Sequence, residues 1–165
     1  MTDITHTPIG IIHSSFTDPD DTPIQGVFAN EAKGEVEVFP EYAVGLKDID
    51  GFSHLILIYN FHLVNDYSLI SKPFIEGKES KDRGIFSIRH PERPNHIGIS
   101  IVTLNAVRGN ILEISDVDII DGTPLLDIKP FVHRFDNRIG VKSGWVDEQH
   151  IDEIKDQTPR ALRDK

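Results

Sequence analysis

The stretch Arg89-His90-Pro91-Glu92-Arg93-Pro94-Asn95-His96-Ile97-Gly98-Ile99-Ser100 gathers several groups able to do chemistry in one loop. Two arginines four positions apart are separated by prolines, which fix φ and stiffen the backbone. Asn95 and the two histidines add hydrogen-bonding heads, and Gly98 permits close approach before the chain returns to strand. A rigid cationic loop of this kind suits a carboxylate, a phosphate or a nucleobase edge. Turn chemistry accounts for the prolines and the glycine as well, so the pattern alone also allows a proline-rich β-connection with solvated arginines.

Three more segments carry candidate groups. Asp121-Gly122-Thr123-Pro124 is a tight turn with an acid, a hydroxyl and exposed amides, and Asp127 with Lys129 follows it. Asp121 suits a ribose or an ammonium group, although a capped turn with a surface ion pair explains the same residues. Asn60-Phe61-His62 ends the most apolar run, where an aromatic ring can stack on a base or line an adenosine pocket. The bland alternative there is a core phenylalanine and an edge histidine. Pro23-Ile24-Gln25 by itself marks only a turn.

Other chemistries lack their patterns. No Gly-rich fingerprint opens a helix after a strand, no Walker loop is present, and no Gly-x-Ser-x-Gly elbow occurs. None of the eight histidines has metal-ligand spacing, so no metal is expected. The absence of cysteine excludes disulfides and thiolate sites and suits a reducing cytoplasm. No apolar run reaches membrane-spanning length, and the N-terminus has no signal-peptide pattern, so no membrane partner is expected. The net charge of −10 is uneven. Ten acids and two bases fall in the first fifty positions, against seventeen and fifteen in the rest. A face for a polyanion therefore has to be local and lie in the later part of the chain.

The elements that must hold these loops read mainly as strands. Residues 8–13 carry a β-branched cluster, and residues 34–39 alternate charged and apolar side chains, the period of a half-buried strand. Pro40 suits a first helical turn, with a short helix running to Leu46. Residues 54–62 read as a strand buried on both faces. Residues 65–83 read as a long loop, whose length hints at function. Strands are then expected at 84–88, 97–107, 111–114, 117–120 and 125–128, with turns at Arg108-Gly109-Asn110 and Asp121-Gly122. Residues 147–163 look helical. Many strands without regular helix alternation imply a mainly β fold, a single small antiparallel barrel or sandwich with short helices. The expected organisation is a domain over residues 1–145 and a helical extension over 146–165.

Together these segments resemble the TsaA-like (TrmO) family. The family loop Arg-Ser-Pro-x-Arg-Pro-Asn-Pro-Ile-Gly-Leu-Ser is matched from Arg89 to Ser100, and Asp-Gly-Thr-Pro-x-Leu-Asp-Ile-Lys-Pro-Tyr from Asp121 to Phe131. Pro8-Ile9-Gly10-Ile11-Ile12-His13-Ser14, Phe39-Pro40-Glu41-Tyr42-Ala43-Val44-Gly45-Leu46 and Gly51-Phe52-Ser53-His54-Leu55 also fit, so the likeness covers residues 6–136 in order. It implies a β-barrel methyltransferase, unrelated to the Rossmann class, that works as a cytoplasmic homodimer with S-adenosylmethionine as donor. The implied substrate is N6-threonylcarbamoyladenosine beside the anticodon of tRNA.

Carried over by position, the resemblance implies cofactor contacts from Pro23, Ile24, Gln25, Phe61, His62, Arg89, Ile99, Asp121, Gly122, Thr123 and Pro124. Asn95, His96 and Asp121 are the candidates for activating the acceptor nitrogen, and Arg93 for clamping the threonine carboxylate. The chain departs from the family pattern at Ile24, His90, His96 and Phe131, where arginine, serine, proline and tyrosine are usual, and no extra C-terminal domain is expected. A small-molecule methyltransferase, a non-catalytic S-adenosylmethionine-binding module and a purely structural β-domain remain the alternatives.

Overall fold

The computed structural model describes residues 4–29, 31–148 and 158–159. Its strands are β1 (Gly10–Ser14), β2 (Lys33–Val38), β3 (His54–Asn60), β4 (Ile70–Ser71), β5 (Arg83–Gly84), β6 (Ile97–Arg108), β7 (Ile111–Ser115) and β8 (Thr123–Pro130). Six of them close into an antiparallel barrel in the order β1-β2-β7-β6-β3-β8, and β4 pairs with β5 outside it. The expected barrel is thus present, and β1–β8 pairing, Gly10 opposite Leu125, closes it.

Alternation builds the core. In β3, Leu55, Leu57 and Tyr59 are buried while Ile56 and Ile58 are only partly covered. In β6, Gly98, Ser100 and Val102 point in, whereas Ile97, Ile99 and Ile101 are exposed. The inward set joins Ile12, Val36, Val38, Leu112, Ile114 and Leu125 in one cluster, and Val117 and Ile119 pack onto it from the β7–β8 connection. Fully burying one such aliphatic side chain contributes about 1.5–3 kcal/mol, so this cluster is the main source of stability.

Several local expectations are corrected. β3 is buried on one face, because its outer side chains meet only partial cover. Residues 84–88 are not a strand: β5 pairs for two residues with β4, and the chain then turns into a 3-10 helix at Ile85–Ser87. Residues 117–120 make no ladder. Their backbone is held by single bonds, such as Val117 N–H to Ala32 O at 3.1 Å. The last strand is longer than the apolar signal, running over Thr123–Pro130. Pro40–Leu46 is a 3-10 helix. A short α-helix, α1 (His133–Asp136), follows the barrel. The helix expected at 147–163 falls largely outside the described residues; within them Gly144–Glu148 forms a 3-10 turn. No helix among the described residues is long and apolar enough to cross a membrane.

The antiparallel order has one consequence for function. The connections over 15–32, 61–96 and 116–122 all emerge at the same end of the barrel, beside the starts of β6 and β8. The other end carries the 39–53 connection and the two-residue β6–β7 hairpin, where Gly109 takes φ +66°.

Candidate functional site

The three long connections enclose a cavity of about 410 Å³ at their end of the barrel. It is walled by Pro23, Ile24 and Gln25 from the first, by Phe61, His62, Arg89 and Arg93 from the second, and by Asp118, Ile119 and Ile120 from the third. Ile99 of β6 and Thr123 of β8 complete it from the barrel, and Pro159 also lines it. Residues from distant sequence segments thus meet because, with every pairing antiparallel, alternate connections of the barrel share one end.

Specific contacts fix the walls. Arg89 donates through one guanidinium nitrogen to Gln25 Oε1 at 2.7 Å, tying the second connection to the first. His62 Nδ1 lies 3.4 Å from Thr123 Oγ1, which donates to Ile120 O at 2.7 Å. Phe61 meets the Tyr59 ring edge-on at 5.4 Å between centroids. Gly98 is required here, since a Cβ at that position would stand 2.2 Å from the Tyr59 ring.

A hydrogen-bonded chain runs from the core into this cavity. Ser100 Oγ donates to Asp118 Oδ1 at 2.6 Å, and the Tyr59 hydroxyl lies 3.0 Å from Ser100 Oγ, so Tyr59 donates to Ser100 and Ser100 to Asp118. The Gly26 N–H also donates to the Asp118 carboxylate. Burial pushes the Asp118 carboxyl up to about 6, against the opposing hydrogen bonds and the Arg89 charge. Burial likewise drives the Tyr59 phenol far above its ordinary value, with the Asp118 charge adding to it.

Other expected site residues face elsewhere. Asp121 accepts the Ser14 N–H at 3.1 Å and sits 3.5 Å from His13 Nδ1, so its carboxylate serves the end of β1. The Gly122 N–H donates to Ile12 O, and Pro124 pairs with Ile11 in the ladder. Of the Asp-Gly-Thr-Pro turn only Thr123 lines the cavity. Asn95 is exposed and outside the cavity wall. His96 takes φ +49°, and its Nε2 lies 3.1 Å from Asp66 O. A proline at this position would be locked near φ −65°, so histidine gives this loop a path a proline could not follow. One Arg93 nitrogen donates to Ile85 O and Ile88 O at 3.2 and 2.7 Å, bracing the cavity wall from behind. Asp127 and Lys129 form an exposed ion pair at 2.7 Å, towards the opposite end.

A second cavity of about 470 Å³ adjoins the first and shares Gln25, Phe86, Arg89 and His90 with it. His90 stacks on Phe74 at 4.6 Å, and burial lowers its basicity. Trp145 closes the far side, donating to Ser87 O at 2.9 Å with the Arg83 guanidinium 4.1 Å above its ring. Among the described residues no group of three His, Cys, Asp or Glu is placed to hold a metal ion.

Sequence reasoning missed Asp118, Tyr59, Ser100 and the second cavity. The available signal was Val117-Asp118-Ile119-Ile120, one acid inside an apolar run next to a turn. A charge in such a run is costly unless it is hydrogen-bonded or used.

Comparison with known proteins adds independent findings. The family model described as tRNA-methyltransferase O N-terminal domain matches residues 11–137. A probable S-adenosyl-L-methionine-binding protein of Pyrococcus abyssi is 53% identical over 145 residues, covering 88% of this chain and 77% of that one. A tRNA (adenine(37)-N6)-methyltransferase of Mus musculus is 33% identical over 139 residues, 79% of this chain but only 31% of that protein's length. A crystal structure of TrmO aligns with TM-score 0.73 at 31% identity, over 87% of this chain and 64% of that chain. TrmO from Pseudomonas aeruginosa also aligns with TM-score 0.73, at 28% identity over 99% and 78% of the two chains.

Proposed function

The chain belongs to the tRNA-methyltransferase O N-terminal domain family, and from that premise we propose that it methylates N6 of threonylcarbamoyladenosine beside the anticodon of tRNA, with S-adenosylmethionine as donor. The observation that carries this reading is the convergence of Pro23, Gln25, Phe61, His62, Arg89, Ile99 and Thr123 on one cavity. Its chemistry fits the donor: aromatic rings for an adenine, hydroxyl and amide groups for a ribose, arginine for a carboxylate and one acid for a cation. S-adenosylmethionine, when bound, supplies an electrophilic methyl group.

The chain's part is to orient and to exclude water. Arg89 and Gln25, paired with each other, stand where the two cavities meet and would fix the donor against the acceptor. The aromatic second cavity is the approach for the acceptor's base. Arg93 keeps part of its guanidinium for the threonine carboxylate while bracing the wall, and Asn95, His96 and Asp121 remain the groups to test for proton removal from N6. The barrel over residues 1–145 is the catalytic unit and 146–165 an extension. Ile101, exposed on β6 beside Ile97 and Ile99 at the edge of the cavity, suits contact with a second copy of the chain at that edge, since contiguous exposed apolar surface marks contact sites. Light scattering on Ile101→Glu tests that dimer, a loss of dimer mass being the expected result. The cysteine-free composition suits the cytoplasm, where tRNA is modified.

The deciding experiment is transfer of labelled methyl from S-adenosylmethionine to tRNA with and without the threonylcarbamoyl group. Label in the modified tRNA alone is the expected outcome. Label only in free nucleosides would make the chain a small-molecule methyltransferase, and donor binding without transfer would make it a binding module.

A further inference from the structure

We propose that Asp118 reads the positive charge of the methyl donor, its carboxylate facing the sulfonium and setting the preference for S-adenosylmethionine over the neutral thioether product. The inference rests on the donor-site reading above and goes beyond it to how donor and product are told apart. Asp118 is the single carboxylate among the described residues of the donor cavity, whose other charged lining groups are Arg89 and Arg93. The donor carries one carboxylate and two cations, so the arginines suit its anion and Asp118 is the charged side chain of the lining that suits a cation.

The carboxylate is held for this task. Ser100 Oγ pins Oδ1 at 2.6 Å, the Gly26 N–H donates to the same carboxylate, and Tyr59 holds Ser100 from inside the barrel at 3.0 Å. With the Asp118 backbone N–H as a third donor, one lone-pair position of the carboxylate stays free. A pinned, partly desolvated charge interacts with a cation far more strongly than one in water. Burial also raises the acid to about 6, so it is ionised at neutral pH at a cost to stability that a structural role does not explain.

Methyl transfer removes the partner. The S–CH₃ bond breaks with its electron pair staying on sulfur, the acceptor nitrogen's lone pair forms the N–CH₃ bond, and the N–H proton leaves to solvent. The sulfur becomes a neutral thioether and Asp118 is left facing no charge. The product is thereby bound less tightly than the donor, which favours its exchange.

The test is calorimetric titration of the full chain with S-adenosylmethionine, S-adenosylhomocysteine and the amine-bearing analogue sinefungin. The wild type is expected to favour the two ligands cationic at that position by about tenfold or more. Asp118→Asn is expected to abolish the preference while keeping S-adenosylhomocysteine affinity. Ser100→Ala keeps the charge but removes one of its anchors, and is expected to reduce the preference without abolishing it. Equal weakening of all three ligands in Asp118→Asn, or an unchanged preference, overturns the proposal. Should that variant not fold, the wild-type preference is measured against pH. It is expected to fall as pH drops through about 6, and a flat ratio overturns the proposal. If the wild type binds none of the three, the donor-site reading itself falls. If it binds all three equally, only this inference falls.

Discussion

At one end of the barrel the chain spends residues 15–32, 61–96 and 116–122 on connections; at the other, one link is the two-residue hairpin at Gly109 and Asn110. The two ends share the same strands and the same core. They differ in what their polar groups do. At the long-loop end Asp118, Ser100 and Tyr59 form a partly buried chain that ends at a cavity. At the short-loop end Lys129 and Asp127 pair in solvent. Substitution should therefore separate binding from stability at one end and touch neither at the other.

The largest effect is expected at Gly98, where the two requirements coincide. A methyl at that position would meet the Tyr59 ring at 2.2 Å, so the ring, and Ser100 behind it, must shift. Gly98→Ala is expected to lower stability by about 1–3 kcal/mol, the usual range for overpacking, and to weaken donor binding with it. Thermal melts and donor titration on the same sample check both. A stable variant with intact binding would mean that the ring is not fixed by β6.

Arg93 comes next. Its guanidinium satisfies the carbonyls of Ile85 and Ile88, and losing a charged donor to a buried carbonyl costs about 1.5–3 kcal/mol. Because that wall borders both cavities, Arg93→Ala is expected to speed proteolysis or hydrogen exchange of residues 84–96 and to raise KM for tRNA. Donor affinity should change less than either. An unchanged KM and unchanged protection would remove both roles.

Asp118 sharpens the contrast through pH. Its carboxyl is raised by burial from 3.8 to about 6, so the folded protein holds that proton over a range where the unfolded chain has released it. The contribution to stability is therefore greatest below about pH 4 and is lost as pH rises through 6. At neutral pH the ionised acid costs at most about 3 kcal/mol, since each tenfold change in acidity is worth about 1.4 kcal/mol. Asp118→Asn should melt at or above the wild type at pH 7, and the gap should close towards pH 4. Melting curves at the two pH values decide this. A variant that melts far below the wild type at pH 7 would make Asp118 a structural acid.

How much of this was written in the sequence follows the same division. The barrel was legible because alternation, as in residues 34–38, has a strand's period, and because Asp121-Gly122 and Arg108-Gly109-Asn110 punctuate the chain. The candidate cavity was legible in part through motifs, which marked Arg89, Phe61 and Thr123 of its lining. It was less legible in side-chain direction. Asp121 belongs to the motif, yet it turns to Ser14 and His13, while Asp118, three residues earlier, lines the cavity. No periodicity separates those two acids, because the segment between them forms no ladder and its facing is set by packing of Val117 and Ile119 on the core. The short pairing of β4 with β5 was hidden for a related reason: two residues carry no pattern, and contact across the long connection fixes them.

The smallest effect should come from the ion pair at the quiet end. Lys129 Nζ and Asp127 Oδ2 are 2.7 Å apart, but their side chains stay 59% and 44% exposed. Water competes for both charges, and holding the lysine in place costs rotamer entropy, so such pairs contribute about 0–1 kcal/mol. They lie in the same family motif as Thr123, and a motif-based reading would give them a share of the site. The geometry gives them none: β8 carries them away from the cavity, opposite Ile56 and Ile58 of β3. Lys129→Ala is expected to shift the melting temperature by no more than a degree or a few and to leave donor affinity unchanged. A clear loss of donor binding in that variant would mean that the two ends communicate through β8, and that the separation between them is not a property of the fold.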